Sequence, residues 1–121
     1  MGPKAGDESV YVVNEDWSAS YPDPIKLSAG ERIELDGRRD IWDGHVWLWA
    51  KNVFGKEGWI PDSLVSTGDY IVAREDYSAI ELSCYVGEQL TVSRCLNGWA
   101  WCQNELGKRG WVPERNLTEM R

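Results

Sequence analysis

Gly107-Lys108-Arg109-Gly110-Trp111-Val112-Pro113 nearly repeats Gly55-Lys56-Glu57-Gly58-Trp59-Ile60-Pro61. The stretch decides the fold because it is one of four that recur in the same order. Upstream, Trp47-Leu48-Trp49-Ala50 returns as Trp99-Ala100-Trp101-Cys102, and Ala29-Gly30-Glu31 returns as Val86-Gly87-Glu88. Glu15-Asp16-Trp17-Ser18-Ala19 returns as Glu75-Asp76-Tyr77-Ser78-Ala79. The offset falls from 60 to 57 to 52, so the first copy carries about three and then about five extra residues. Extra length is expected in loops, which absorb it at low entropic cost. Each copy reads as one folded unit. The join, Ser66-Thr67-Gly68-Asp69, places the domains at 10–66 and 69–120. A linker that short keeps them close.

The apolar pattern has a period of two, broken often by Gly and Asn, with no sustained helical stripe. Five short strands are predicted in each copy: about 10–13, 32–36, 46–51, 56–60 and 64–66, then about 70–73, 89–94, 99–104, 108–112 and 117–119. The fold class is therefore all-β, as two small five-stranded barrels in tandem. In Trp99-Ala100-Trp101-Cys102 the small residues share one face and the tryptophans the other. A barrel this small has little interior room, so Ala100 and Cys102 point in and Trp99 and Trp101 point out. Trp47 and Trp49 follow the same rule. Eight Trp against one Phe is an odd balance for a core. Outward aromatics on a small protein mark a binding surface.

A net charge of −7 argues against nucleic acid and anionic membrane as partners. It favours basic partners or serves solubility alone. Three cysteines without CxxC spacing make neither a disulfide framework nor a zinc site, so no metal or other cofactor is implied. They read as reduced thiols, which points to a cytoplasmic location. Met1 to Glu8 shows no export signal, and no apolar run reaches membrane-spanning length. No side chains are spaced for catalysis, so the chain is read as a non-enzyme. The glycines of the repeated stretch are turn and bulge residues, because no helix follows to make a phosphate loop.

These residues resemble the Src-homology-3 (SH3) domain twice over, in a bacterial or variant form, across about residues 10–120. Ala73-Arg74-Glu75-Asp76-Tyr77 stands where that family has its ALYDY segment. Glu81-Leu82-Ser83-Cys84-Tyr85-Val86-Gly87-Glu88 resembles its diverging turn. Gly98-Trp99-Ala100-Trp101-Cys102 and Gly107 to Pro113 match its GWW and GxxGxxP positions. The resemblance implies a binding module that takes Pro-rich, polyproline II segments in an aromatic groove beside an acidic loop. It implies Trp99, Pro113 and Tyr77 as groove residues of the second copy, and Trp47, Pro61 and Trp17 as those of the first. Two departures stand out. Glu15 and Glu75 replace the first ALYDY tyrosine, and Leu64 and Asn116 replace the tyrosine after the groove proline. One of the two proline pockets should therefore be damaged in each copy.

Trp101, Trp49 and the loop residue Trp42 extend the candidate surface. Asp23, Asp40 and Asp43 in the first copy, and Glu81 with Glu75 in the second, are the acids placed to meet a basic ligand residue. The leading reading is a peptide- or protein-binding adaptor whose ligand is Pro-rich, basic or otherwise extended. The alternatives are a structural tandem whose aromatic faces meet each other or a second copy, and a cell-wall-binding module.

Overall fold

The computed structural model describes residues 9–120, and the reading of Met1 to Glu8 lies outside them. Twelve strands follow in chain order. They are β1 Ser9–Val13, β2 Lys26–Leu27, β3 Glu34–Trp42, β4 His45–Lys51, β5 Glu57–Pro61 and β6 Val65–Thr67. Then come β7 Ile71–Ala73, β8 Tyr77–Ser78, β9 Gln89–Leu96, β10 Trp99–Gln103, β11 Arg109–Pro113 and β12 Leu117–Glu119. One-turn 3-10 segments at Asp62–Leu64 and Glu114–Asn116 follow the two repeated stretches. All ten expected strands are present, and the described residues contain no α-helix. β2 and β8, two residues each, carry too short a pattern to be read from sequence.

The chain divides into two compact units, and neither is one copy of the repeat. Unit 1 takes the residues up to Pro22 and those from Ile80 onward, while unit 2 runs from Asp23 to Ala79. This differs from the expected division at 10–66 and 69–120, and strand pairing is the reason. The join is not a linker but the turn of a hairpin, with Val65 opposite Ala73 and Thr67 opposite Ile71. β7 and β8, from the second copy, thus lie in unit 2. β1, from the first copy, pairs instead with β9 and β12 in unit 1. The opening segments of the two copies are exchanged.

Unit 1 holds one sheet in the order β11-β10-β9-β1-β12. The ladder is open, so the expected closed barrel is not found. Beside β11, Trp111 N–H donates to the Ile80 carbonyl at 2.9 Å and Leu82 N–H to the Trp111 carbonyl at 3.1 Å. Trp17 and Cys84 form a further bridge. These segments cover a core of Val13, Leu82, Cys84, Leu90, Val92, Ala100, Cys102 and Val112. Unit 2 has three small sheets: β3-β4-β5, β2-β8 and β6-β7. A single bridge, Arg32 to Val72, joins β7 to the approach of β3, so here too no ladder closes. Its core is Ile25, Leu27, Ile33, Ala50, Ile60, Leu64 and Ala73.

The five-residue excess of the first copy is not a loose loop. In unit 1, β9 turns into β10 through Asn97 (φ 49°) and Gly98 (φ 85°). Asp43 (φ 51°) and Gly44 (φ 80°) make the same two-residue turn between β3 and β4. Both central residues have positive φ, which Asn-Gly and Asp-Gly accept most readily. Trp47 pairs with Asp40, the third pair from the turn, whereas Trp99 pairs with Leu96, the first pair at its turn. The ribbon is lengthened by two residues on each strand, and the bulge between Leu35 and Arg39 holds the remaining one. Trp42 therefore sits in a strand opposite His45, not in a loop.

Candidate functional site

The alternation read from sequence sets the side-chain directions. Ala50 and Cys102 are buried, while Trp47, Trp49, Trp99 and Trp101 are half-buried on the opposite face. Cross-strand partners share a face. That face of unit 1 therefore gathers Trp99 with Pro113, and Trp101 with Trp111 and Arg94. The corresponding face of unit 2 gathers Trp47 with Pro61 and Asp40, and Trp49 with Trp59.

The exchange changes which aromatics meet. Trp17, expected beside Trp47, packs edge-on against Trp99 with centroids 5.3 Å apart and an interplanar angle of 80°. Tyr77, expected beside Trp99 and Pro113, belongs to unit 2, opposite Leu27 and against the Ile25–Ile60 core. The Trp17 ring is fixed at its polar end as well. Its indole N–H donates to Glu81 Oε1 at 3.1 Å, and Ser20 N–H donates to the same oxygen at 3.2 Å. Ala19 N–H donates to Ser83 Oγ at 2.9 Å. Glu81 is thereby held against the Trp17 ring.

The proline pockets implied by the resemblance fare differently. Pro61 and Pro113 are among the fully buried side chains and offer no surface of their own. Trp17 and Trp99 touch, so no slot for a prolyl ring remains between them. A ring seated between two aromatic walls needs about 7–8 Å between their centroids, twice a van der Waals contact. At the other pocket Asn116 is 2 % exposed and turned inward. Its Nδ2 donates to the carbonyls of Glu15 and Asp16, each at 3.2 Å. Leu64, its counterpart, lies in the core of unit 2. These positions secure the fold instead of walling a groove.

Matched carboxylates hold the turns. Asp16 Oδ1 accepts from Val86 N–H at 2.8 Å, and Asp76 Oδ1 accepts from Ala29 N–H at 2.9 Å. Each Asp caps a turn supplied by the other copy, which is the exchange expressed in hydrogen bonds.

Several further acids and aromatics of unit 2 are already engaged with one another. Asp23 pairs with Lys56 Nζ at 2.9 Å. The hydrogen bond from Lys56 is the main cause holding the Asp23 carboxyl below its ordinary pKa. Trp49 donates its indole N–H to Glu57 Oε1 at 2.7 Å and packs edge-on against Trp59, centroids 5.2 Å apart. The Arg38 guanidinium lies 4.6 Å from the Trp49 ring centroid and donates from Nε to Asp36 Oδ2 at 2.7 Å. Trp42 is half-buried. Sequence reasoning missed Trp59, Trp111, Arg38, Arg94 and Glu57. The register that pairs Trp49 with Trp59 and Trp101 with Trp111 was available from the two Trp-containing repeats.

The thiols are free, with Cys84 and Cys102 buried and Cys95 exposed. Burial pushes Cys84 up to about 11 and Cys102 up to about 12. Neither is a nucleophile at neutral pH. Among the described residues no three His, Cys, Asp or Glu side chains are grouped to hold a metal. No helix is long and apolar enough to cross a membrane.

Residues 10–68 match the family model of the variant SH3 domain. That segment is SH3-like. SH3-like domains are generally non-catalytic modules that bind protein or peptide ligands. The matched segment runs through both units, since its first residues lie in unit 1 and those from Asp23 onward in unit 2. No curated protein and no solved structure matches the chain.

Proposed function

We propose that this chain is a non-catalytic binding module of two SH3-like units. Unit 1 takes an extended peptide or protein segment on Trp17, Trp99 and Trp101. The observation that carries this reading is the Trp17–Trp99 pair, half-buried and anchored by Glu81 at the surface of the unit. A rigid aromatic pair with one water-facing side presents a large apolar contact at little entropic cost. The second copy supports the same assignment, because its strands complete in unit 1 the pairing order that the repeat sets out. Paired-pocket PxxP recognition is not supported, since Trp17 fills one slot and Asn116 has left the other. Three free thiols support a cytoplasmic, reducing location.

The test is titration of the isotopically labelled chain with PxxP peptides and with proline-free apolar peptides, followed at the Trp indole signals. The Trp17 and Trp99 signals are expected to move with a proline-free segment at least as readily as with PxxP. If no peptide moves either signal at millimolar concentration, the reading is wrong.

A further inference from the structure

The matched faces of the two units differ in charge. On unit 1, the positions sharing the face of Trp101 are Arg94 opposite it on β9, Trp111 opposite it on β11, and the Gln103–Arg109 pair one step along. Arg109 Nε donates to Gln103 Oε1 at 3.2 Å, and both Arg94 and Arg109 are exposed. None of the described strand positions sharing this face is a carboxylate, and the acid bridged to its edge, Glu81 opposite Trp111, already accepts from Trp17 and Ser20 through Oε1. On unit 2 the corresponding positions hold Glu34, Asp40 and Glu57. There Arg38, Asp36 and Glu57 close over Trp49 and satisfy one another. Glu57 is replaced at the equivalent place by Arg109, so unit 1 cannot build that cap.

We propose that the Trp101 face of unit 1 is a docking surface for an acidic peptide segment. An apolar residue lies on Trp101, packed edge-on against Trp111 at 5.1 Å, and Asp or Glu side chains meet Arg94 and Arg109. Charge complementarity argues the occupant: exposed Arg94 lies opposite Trp101, and exposed Arg109 lies one step along opposite Gln103, flanking a Trp101 ring that is backed by buried Trp111. The proposal rests on the binding reading above and adds the chemistry of the ligand.

The experiment uses the full chain, the heptapeptide GELDPEG, its basic form GKLKPKG and its neutral form GQLNPQG, at low ionic strength. The readouts are the Trp101 indole signal and sedimentation. GELDPEG is expected to shift Trp101 most. The double variant R94E/R109E should weaken it roughly tenfold, as expected for two exposed ion pairs reversed, and should bind GKLKPKG better. R94Q/R109Q, with its fold checked by circular dichroism, should fall between. If GKLKPKG or GQLNPQG shifts Trp101 and GELDPEG does not, this proposal is overturned while the binding reading stands. If no peptide shifts any indole, both fall. If the chain self-associates in a way that R94E/R109E abolishes and no peptide competes, the occupant is a second copy and the proposal is overturned.

Discussion

Replacing Trp17 by Ala removes a first-copy side chain whose ring partner, Trp99, and hydrogen-bond partner, Glu81, both lie in the second copy. Its loss strikes unit 1 and spares unit 2. The edge-on pair with Trp99 contributes about 0.5–1.5 kcal/mol beyond its area. Burying roughly half an indole against the Val13–Leu90 core contributes about 1–1.5 kcal/mol. The hydrogen bond to Glu81 is partly solvated and adds about 0.5–1 kcal/mol. The sum is about 2–4 kcal/mol. Native-state amide exchange resolves where that loss falls. Protection at Cys84, Cys102 and Val112 should drop by roughly 30- to 1000-fold, since about 1.4 kcal/mol is a factor of ten. Ala50 and Ile60 should keep theirs. If Ala50 and Ile60 lose protection while Cys102 and Val112 keep it, Trp17 belongs with its own copy and the reasoning fails.

Gly110→Ala should destabilise far more than Gly58→Ala. A Cβ at 110 lands 2.6 Å from the Glu81 carbonyl carbon and 2.7 Å from the Leu82 nitrogen, both backbone, whereas at 58 it meets the Ile25 Cγ2 at 3.0 Å. About 2–5 kcal/mol is expected at 110 and under about 1.5 kcal/mol at 58, read from urea midpoints. Asn116→Ala should cost about 1–3 kcal/mol by stripping the Glu15 and Asp16 carbonyls of their donor. The cysteines give stability a sign with pH. Their folded pKa values lie above the ordinary value of 9.0. From 9 upward the folded state binds more protons than the unfolded, so the urea midpoint should fall as pH rises toward 11. A Cys84→Ala, Cys102→Ala variant should show a flatter alkaline limb.

The all-β class, ten of the strands and the inward face of the central ribbon were legible because a period of two is a local property. Ala100 and Cys102 cannot exchange places with Trp99 and Trp101 without a register slip that turns every side chain over. The division of the chain was not legible. Which copy supplies β1 depends on whether Ser66-Thr67-Gly68-Asp69 crosses between units or folds as a hairpin, and both suit the same polar residues. The first copy's extra residues were misplaced for a similar reason. Arg38 to Trp42 carry too little alternation to show that they extend a ribbon. Of the candidate surface, Trp99, Trp101 and Glu81 could be named from motif position, but the partnership of Trp17 with Trp99 follows from the exchange and could not be read from sequence.

The central claim is that the opening segments of the two copies trade places. Interstrand nuclear Overhauser contacts from the Leu27 backbone test it most directly. The account predicts contacts from Leu27 to Tyr77 and from the Trp17 ring to Trp99. Contacts from Leu27 to Trp17, with Tyr77 beside Trp99, would show each copy folded on itself and would contradict it.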